Sequence, residues 1–448
     1  MRKGMKRVLA SAAVVALLAA ACGDDEKTDP EDSSTSAAET TTESTEPEAD
    51  VGDLSGLKGT TPLVELSDDF KNRMLEVDPE LKDYNYGPES YDATIVIALA
   101  AAEADSDGVE YAEKINGITR GGEKCADFAA CLAIIDGGGD PDYDGVSGPL
   151  EFSGNGEPTQ ASYGILNFGD DNRIDDDATT YVPAEAPASA DVEQVPVVGD
   201  RAGDGTLKIG TLLPETGSLA FLGPPEIAGV QLAINEINEA GGVLGNDVEL
   251  STGDSGDTTT DTASQTVDRL LSENVDAIIG AASSSVTLTV IDKVTNAGVV
   301  MFSPANTSKK LSTYDDKGLY FRDAPSDILQ GQVLGDLIAG DGHTTLAILA
   351  LDDDYGTGLA EDLTAAFEAA GGEVVLTKIY DPAAQNFDAE VGEAAGAGAD
   401  AIALIGFDES SRILATMVEN GIGPGDTAVY GCDGNMGNTL GENFDAGK

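Results

Sequence analysis

The chain has no tryptophan, a single histidine and few cations: 24 lysines and arginines stand against 82 aspartates and glutamates, a net charge of −58 over 448 residues. A field of that sign repels phosphate backbones and anionic lipid headgroups, which excludes nucleic-acid binding. His343 alone cannot assemble a multi-histidine metal site or the paired acid–base dyads of a large hydrolase. No GxSxG, P-loop or HExxH motif occurs, so no catalytic residue is nominated, no cofactor is expected and an enzyme is not the reading. Aromatics make up only 5%, so cores must be built from Ala, Val, Ile and Leu. What is present is a hydrophobic fraction of 41% with 54 glycines, which fits a folded α/β protein and not a disordered one.

The N-terminus reads as an export signal. Arg2, Lys3, Lys6 and Arg7 form a basic start, and Val8 to Ala21 is an almost wholly apolar run, short for a membrane span and of signal-peptide length. It ends in Leu-Ala-Ala-Ala-Cys-Gly, which looks like a bacterial lipobox with Cys22 as the lipidated mature residue. Ala19 stands where Leu is usual, and plain secretion with cleavage elsewhere is the alternative. Residues 1–22 are therefore the lipoprotein signal and 23–50 a disordered acidic tether: from 24 to 50 there are eleven acids against one lysine, ten Ser/Thr and two Pro. The expected location is extracytoplasmic, lipid-anchored to the outer face of the bacterial cell membrane. Cys125 and Cys131 lie six apart in an exported chain, which predicts a local disulfide; Cys432 is left as a buried small hydrophobe.

A second low-complexity stretch, 175–205, holds an Asp triplet, three prolines and few large apolar residues, and separates a block at 51–174 from one at 206–448. The later block alternates strand and helix signals. Leu207–Leu213, Val248–Leu250, Asp276–Ile279, Val299–Phe302, Thr345–Leu351, Glu373–Ile379, Ala401–Ile405 and Ala428–Tyr430 read as strands. Helical spacing falls at Pro225–Ala240, Thr262–Asn274, Ile328–Ala339, Gly358–Ala370, Phe387–Ala397 and Ser410–Asn420. Such alternation means parallel sheets flanked by helices, with ligands at the carboxyl ends of the strands. The earlier block offers an orphan segment at 56–62, helices at Asp68–Leu75, Tyr91–Ala104 and Val109–Ile118, and a hairpin-like end from Asp144 to Phe168. Neither block alone closes a two-lobed structure.

The motifs LKIGTLLPETGSLAFLG (207–223), GAASSSVTLTV (280–290), FSPANTS (302–308), DDDYGTGLA (352–360), DAIALIGFDESSRIL (400–414) and VYGCDGN (429–435) resemble, in order, type I periplasmic binding proteins. Within these the chain is most similar to the branched-chain amino-acid binding family of ABC importers. YDATIVIALAAAEA, CADFAACLAIIDGG, DGVSGPLEF and ASYGILNF, between 91 and 168, resemble that family's C-terminal third, yet come first. The resemblance therefore implies a circularly permuted two-lobed α/β fold, with 175–205 joining the original termini. One lobe would hold about 205–325 with 63–150, the other about 326–448 with 51–62 and the final hairpin.

The resemblance also implies the function and its residues: capture of an amino acid, branched-chain or otherwise apolar, and delivery to an ABC permease. Gly280–Ser285 follows a strand and opens a helix, so its hydroxyls and free N–H groups converge on an anion. The family's carboxylate-binding serine falls on Ser284; Ala305 acts through its backbone, Thr307 through hydroxyl and amide, and Asp433 as the acid for the ammonium. Tyr355 matches the aromatic that covers the ligand, Asp327 a position near the hinge, and Phe407 and Leu222 positions that are otherwise polar. An amide, urea or aromatic-acid ligand, or a sensor without transport, is the rival. From another class, Asp140, Asp142, Asp144 and Glu151 fit the spacing of a calcium loop, the basis for a calcium-dependent surface interaction, although Pro149 and a strand-like run follow where a helix is required.

Overall fold

The computed structural model describes residues 53–445; Cys22, the signal and the tether 23–50 lie outside them. The strands, in chain order, are β1 (Lys58–Pro62), β2 (Glu123–Cys125), β3 (Pro141–Tyr143), β4 (Gln160–Asn167), β5 (Thr180–Glu185), β6 (Lys208–Leu212) and β7 (Glu249–Ser251). They continue with β8 (Ala277–Gly280), β9 (Val300–Ser303), β10 (Tyr320–Arg322), β11 (Thr345–Leu351), β12 (Glu373–Tyr380), β13 (Ala401–Ile405) and β14 (Ala428–Gly431). Two main sheets result: β12-β11-β13-β14-β1-β4-β5, and β10-β9-β8-β6-β7, with β2 and β3 forming a small parallel pair. Strands are parallel throughout both main sheets except for β4, which runs antiparallel to β1 and β5.

The composition explains the layering. β13 reads AIALI and β11 TLAILAL, buried along nearly their whole lengths, as strands covered by helices on both faces must be. In the five-stranded lobe the helices Gly87–Ala104 and Gly223–Glu239 cross so closely that a Cβ on Gly229 would meet the Gly87 carbonyl at 2.2 Å. Helix Gly87–Ala104 comes from the first block and helix Gly223–Glu239 from the second, so both blocks build this lobe. The orphan segment 56–62 is β1, in the middle of the seven-stranded sheet: Lys58 sits opposite Tyr430 in parallel and Asn167 in antiparallel register.

Several local expectations change. The stretch 175–205 is built into the fold rather than a plain spacer. It carries β5, paired with β4 from Ile165↔Thr180 to Gln160↔Glu185, and then runs along the other lobe, where Val198 N donates to the Lys317 carbonyl at 2.9 Å. Alanines and prolines mask the Thr-Tyr-Val core of that strand. The long antiparallel pair is thus β4 with β5, not a hairpin closed within 144–168, where Phe152 and Pro158 form only an isolated bridge. Val109–Ile118 splits into a 3-10 turn, Val109–Glu113, and one helical turn, Ile115–Ile118. Cys125 and Cys131 are disulfide-bonded with Cα atoms 5.4 Å apart, tying β2 to the helix Phe128–Asp136. Cys432 is free and buried.

Candidate functional site

Loops at the carboxyl ends of β8, β9, β11, β13 and β14 converge on one small cavity of about 20 Å³ between the lobes. Ser284, Ala305 and Thr307 line it from the five-stranded lobe, and Tyr355, Phe407 and Asp433 from the seven-stranded one. Six of the seven nominated residues are therefore brought together. Asp327 is fully buried but lies outside the cavity wall, at the start of the helix Asp327–Gly340; its backbone N–H donates to the Thr307 carbonyl at 2.7 Å.

One side of the cavity is shaped for an anion. Ser283 caps the helix Ser284–Asn296 by accepting from Val286 N at 3.3 Å, and the start of that helix lines the cavity through Ser283 and Ser284. Ser284 Oγ accepts from Ser308 N at 3.2 Å, so its own proton remains to be given to a ligand. The Ala305 N–H is already donated to Ser303 Oγ at 3.2 Å, so the backbone group Ala305 retains for a ligand is its carbonyl, an acceptor. Arg322 holds this loop from beneath. Its guanidinium, fully buried, donates to the carbonyls of Asn306 (3.1 Å) and Ser308 (3.0 Å) and pairs with Glu157 at 3.0 Å. Burial pushes the Glu157 carboxyl up, but the Arg322 charge outweighs it and the group sits below the usual range.

The opposite side is acidic. Asp433 accepts from the hydroxyls of Tyr86 and Tyr355, each at 2.7 Å. Burial pushes its carboxyl up, and these bonds hold it back. Tyr355 stacks on Phe407 at 5.4 Å between centroids and also touches Cys432 Sγ at 3.0 Å, so the free cysteine backs the site. Burial pushes Asp327 well up, and the Asp433 charge adds to the shift.

Tyr86 is the residue that sequence reasoning missed. It precedes the helix Gly87–Ala104 with φ 58°, a left-handed conformation that a tyrosine adopts only under constraint, and it lines the cavity across from Asp433. Nothing in the local sequence marks it, since its partner lies 347 residues away. The Tyr86–Asp433 bond spans the two lobes. So do Ser285 Oγ to Asp353 Oδ2 (3.0 Å), Asp354 N to Ser285 Oγ (3.0 Å) and Asn85 Nδ2 to the Met436 carbonyl (3.2 Å), and the cleft is latched shut.

The calcium reading is corrected. Lys124 Nζ occupies the centre of the loop, bonded to Asp142 (3.1 Å), Asp144 (2.9 Å) and Glu151 (3.3 Å). The acids already share a cation supplied by β2, Asp140 is not among its partners, and no group able to hold a metal ion is found among the described residues.

Compared with known proteins, residues 206–445 match the family described as "Periplasmic binding protein". The chain is 30% identical over 211 residues to a leucine-, isoleucine-, valine-, threonine- and alanine-binding protein of Pseudomonas aeruginosa, covering 47% of this chain and 56% of that one. It is 29% identical over 261 residues to Leu/Ile/Val-binding protein homolog 7 of Brucella abortus, covering 56% and 60%. The matches thus span little more than half of these relatives' lengths. Among solved structures, a branched-chain amino acid transporter substrate binding protein of Streptococcus pneumoniae in complex with isoleucine is 30% identical, with a TM-score of 0.46 over 51% of this chain and 64% of that one.

Proposed function

This chain belongs to the periplasmic binding protein family, and on that premise we propose that it is the extracytoplasmic substrate-binding component of an ABC importer, closing its lobes on a free α-amino acid. The observation that carries the reading is the pairing of opposite chemistries across one buried cavity, Ser284 and Thr307 on one lobe facing Asp433 on the other. A zwitterion needs donors for its carboxylate and an acid for its ammonium. Charge-assisted bonds contribute about 1.5–3 kcal/mol each, so three of them supply about 4.5–9 kcal/mol, and micromolar binding, about 8 kcal/mol, draws on apolar contacts as well. The carbonyl of Ala305 is a further acceptor for the ammonium. Leu219, Leu222 and Phe407 provide apolar walls for an aliphatic side chain or stem. An aromatic acid would leave the buried Asp433 carboxylate without a cation, which disfavours that rival.

Closure is a population shift, because the ligand touches both lobes and so binds the closed state better. The relatives' names, which speak of leucine, isoleucine and valine, favour an apolar side chain. Lipidation at Cys22 would hold the protein beside its permease at the outer face of the membrane. Circular permutation accounts for the order of the chain: a family match confined to 206–445 and the parallel pairing of β1 with β14 both support it.

Calorimetry against the twenty amino acids and short amides tests the ligand, with Asp433→Asn as the variant. The expected result is micromolar binding of at least one amino acid that the variant loses; no heat from any amino acid overturns the reading. For the permutation, light scattering should give a monomer with one ligand-shifted melting transition. Two independent transitions would refute it.

A further inference from the structure

Asp83 lies between the helices Asp68–Val77 and Gly87–Ala104, on a loop whose Leu81 and Tyr84 pack against the core of the five-stranded lobe. Its carboxylate takes its hydrogen bonds from one residue of the other lobe: Oδ2 accepts from Asn438 N at 3.0 Å and Oδ1 from Asn438 Nδ2 at 2.7 Å. Asn438 opens the helix Asn438–Glu442, whose Leu440 belongs to the core of the seven-stranded lobe. It is pinned there, because its Oδ1 accepts from Ile174 N at 2.9 Å, in the turn between β4 and β5. The amide of Asn438 is therefore divided, its oxygen holding its own lobe and its nitrogen the opposite one. Beside this pair Lys82 reaches across to Glu442.

The pair is set apart from the ligand. Asp83 and Asn438 wall a separate cavity of about 110 Å³, together with Leu63, Ile174 and Tyr181, and neither lines the inner cavity. Hydrogen bonds to a carboxylate are about twice as strong as those between neutral groups, and here two of them join the lobes directly. A contact that spans the lobes without touching the ligand has no means of choosing between ligands. It can only weight the closed state against the open one, and a ligand that binds the closed state feels that weighting as a common factor in affinity.

We propose that Asp83 and Asn438 form a closure-determining clasp: they hold the lobes together in the ligand-free protein and scale the affinity for every ligand equally. They are positioning residues, acting through the lobes and not on the bound molecule. The proposal goes beyond the amino-acid reading and rests on it only where a ligand is added.

Amide hydrogen exchange of the ligand-free protein tests the clasp. Asp354 N donates to Ser285 Oγ of the other lobe, so its protection reports closure at a different contact. Asn438→Asp keeps the oxygen that Ile174 uses and sets a carboxylate against Asp83. In that variant the Asp354 N–H should exchange about tenfold faster, while that of Leu349, inside β11, should not change. L-leucine and L-valine should each bind about tenfold more weakly, in unchanged order. Asp83→Asn combined with Asn438→Asp rebuilds an acid–amide pair with the roles exchanged and should recover both readouts. Unchanged exchange at Asp354 in Asn438→Asp overturns the inference, and so does exchange that quickens equally at Leu349, which would mark a purely structural role. If neither amino acid binds the unaltered protein, the amino-acid reading is in difficulty and the exchange measurement alone decides the clasp.

Discussion

Two groups of carboxylates in this protein have similar composition and opposite circumstances. At the β2–β3 corner, Asp142, Asp144 and Glu151 close around Lys124. In the cleft, Asp433 accepts from the hydroxyls of Tyr86 and Tyr355, and Glu409 leaves one oxygen unbonded. The first group carries the more suggestive spacing in sequence and is self-neutralised. The second has no spacing signature and retains its capacity for a cation. What separates them is whether the fold delivers a basic side chain to the cluster, and a chain with 24 basic residues for 82 acids leaves most clusters without one. Acid clusters in such a protein are informative through their partners, not through their density.

The largest effect is expected where an acid has a buried cation. Arg322→Met leaves Glu157 buried and uncompensated and should destabilise by about 3–5 kcal/mol in urea unfolding, because the lost partner is worth most where water cannot replace it. Next comes the acid with no cation: Asp433→Ala should weaken amino-acid binding by about a hundredfold in calorimetry, whereas Asp144→Ala should leave it unmoved.

A pH experiment separates acids that are buried neutral from those buried charged. Burial pushes Glu89 up from its ordinary value to about 8, with Asp92 adding to the shift, and nearby Glu226 and Asp323 are raised as well. A carboxyl whose folded pKa exceeds its unfolded one holds its proton longer in the native state. Its stabilising contribution is therefore complete below the unfolded value and lost as pH rises to about 8. The melting temperature should fall over that window, and Glu89→Gln should flatten part of the slope. The smallest effect belongs to the exposed network. Lys124→Ala, at a side chain 52% exposed, should cost less than about 1 kcal/mol, and millimolar calcium should not shift the melting temperature of the unaltered protein. A calcium-induced rise would remove the distinction between the two groups.

Much of the fold is legible in the chain. Thr345–Leu351 and Ala401–Ile405 are strands over the expected residues, because uninterrupted apolar runs of that length leave little alternative. Helix ends at 262 and 410 fall where periodicity begins. β5 and β10 are not legible: three to six residues of mixed polarity become strands only because a neighbouring strand supplies the hydrogen bonds. The site is similarly divided. Ser284, Thr307 and Asp433 stand in loops after recognisable strands, so motif order finds them. Tyr86 and Arg322 act through contacts 347 and 165 residues away, and no local pattern announces such partners.

The sequence by itself determined the class of structure, the α/β alternation that puts loops at strand ends, and the family likeness. Those follow from composition and from periodicities that act within a few turns of chain. The tertiary structure alone decided that 58–62 becomes an interior strand between β14 and β4, that Lys124 fills the loop that looked like a calcium site, and that Tyr86 latches to Asp433 across the cleft. These are meetings of groups far apart in the chain. Their outcome is set by packing and by the cost of leaving a buried charge unpartnered, and neither quantity exists until the lobes are assembled.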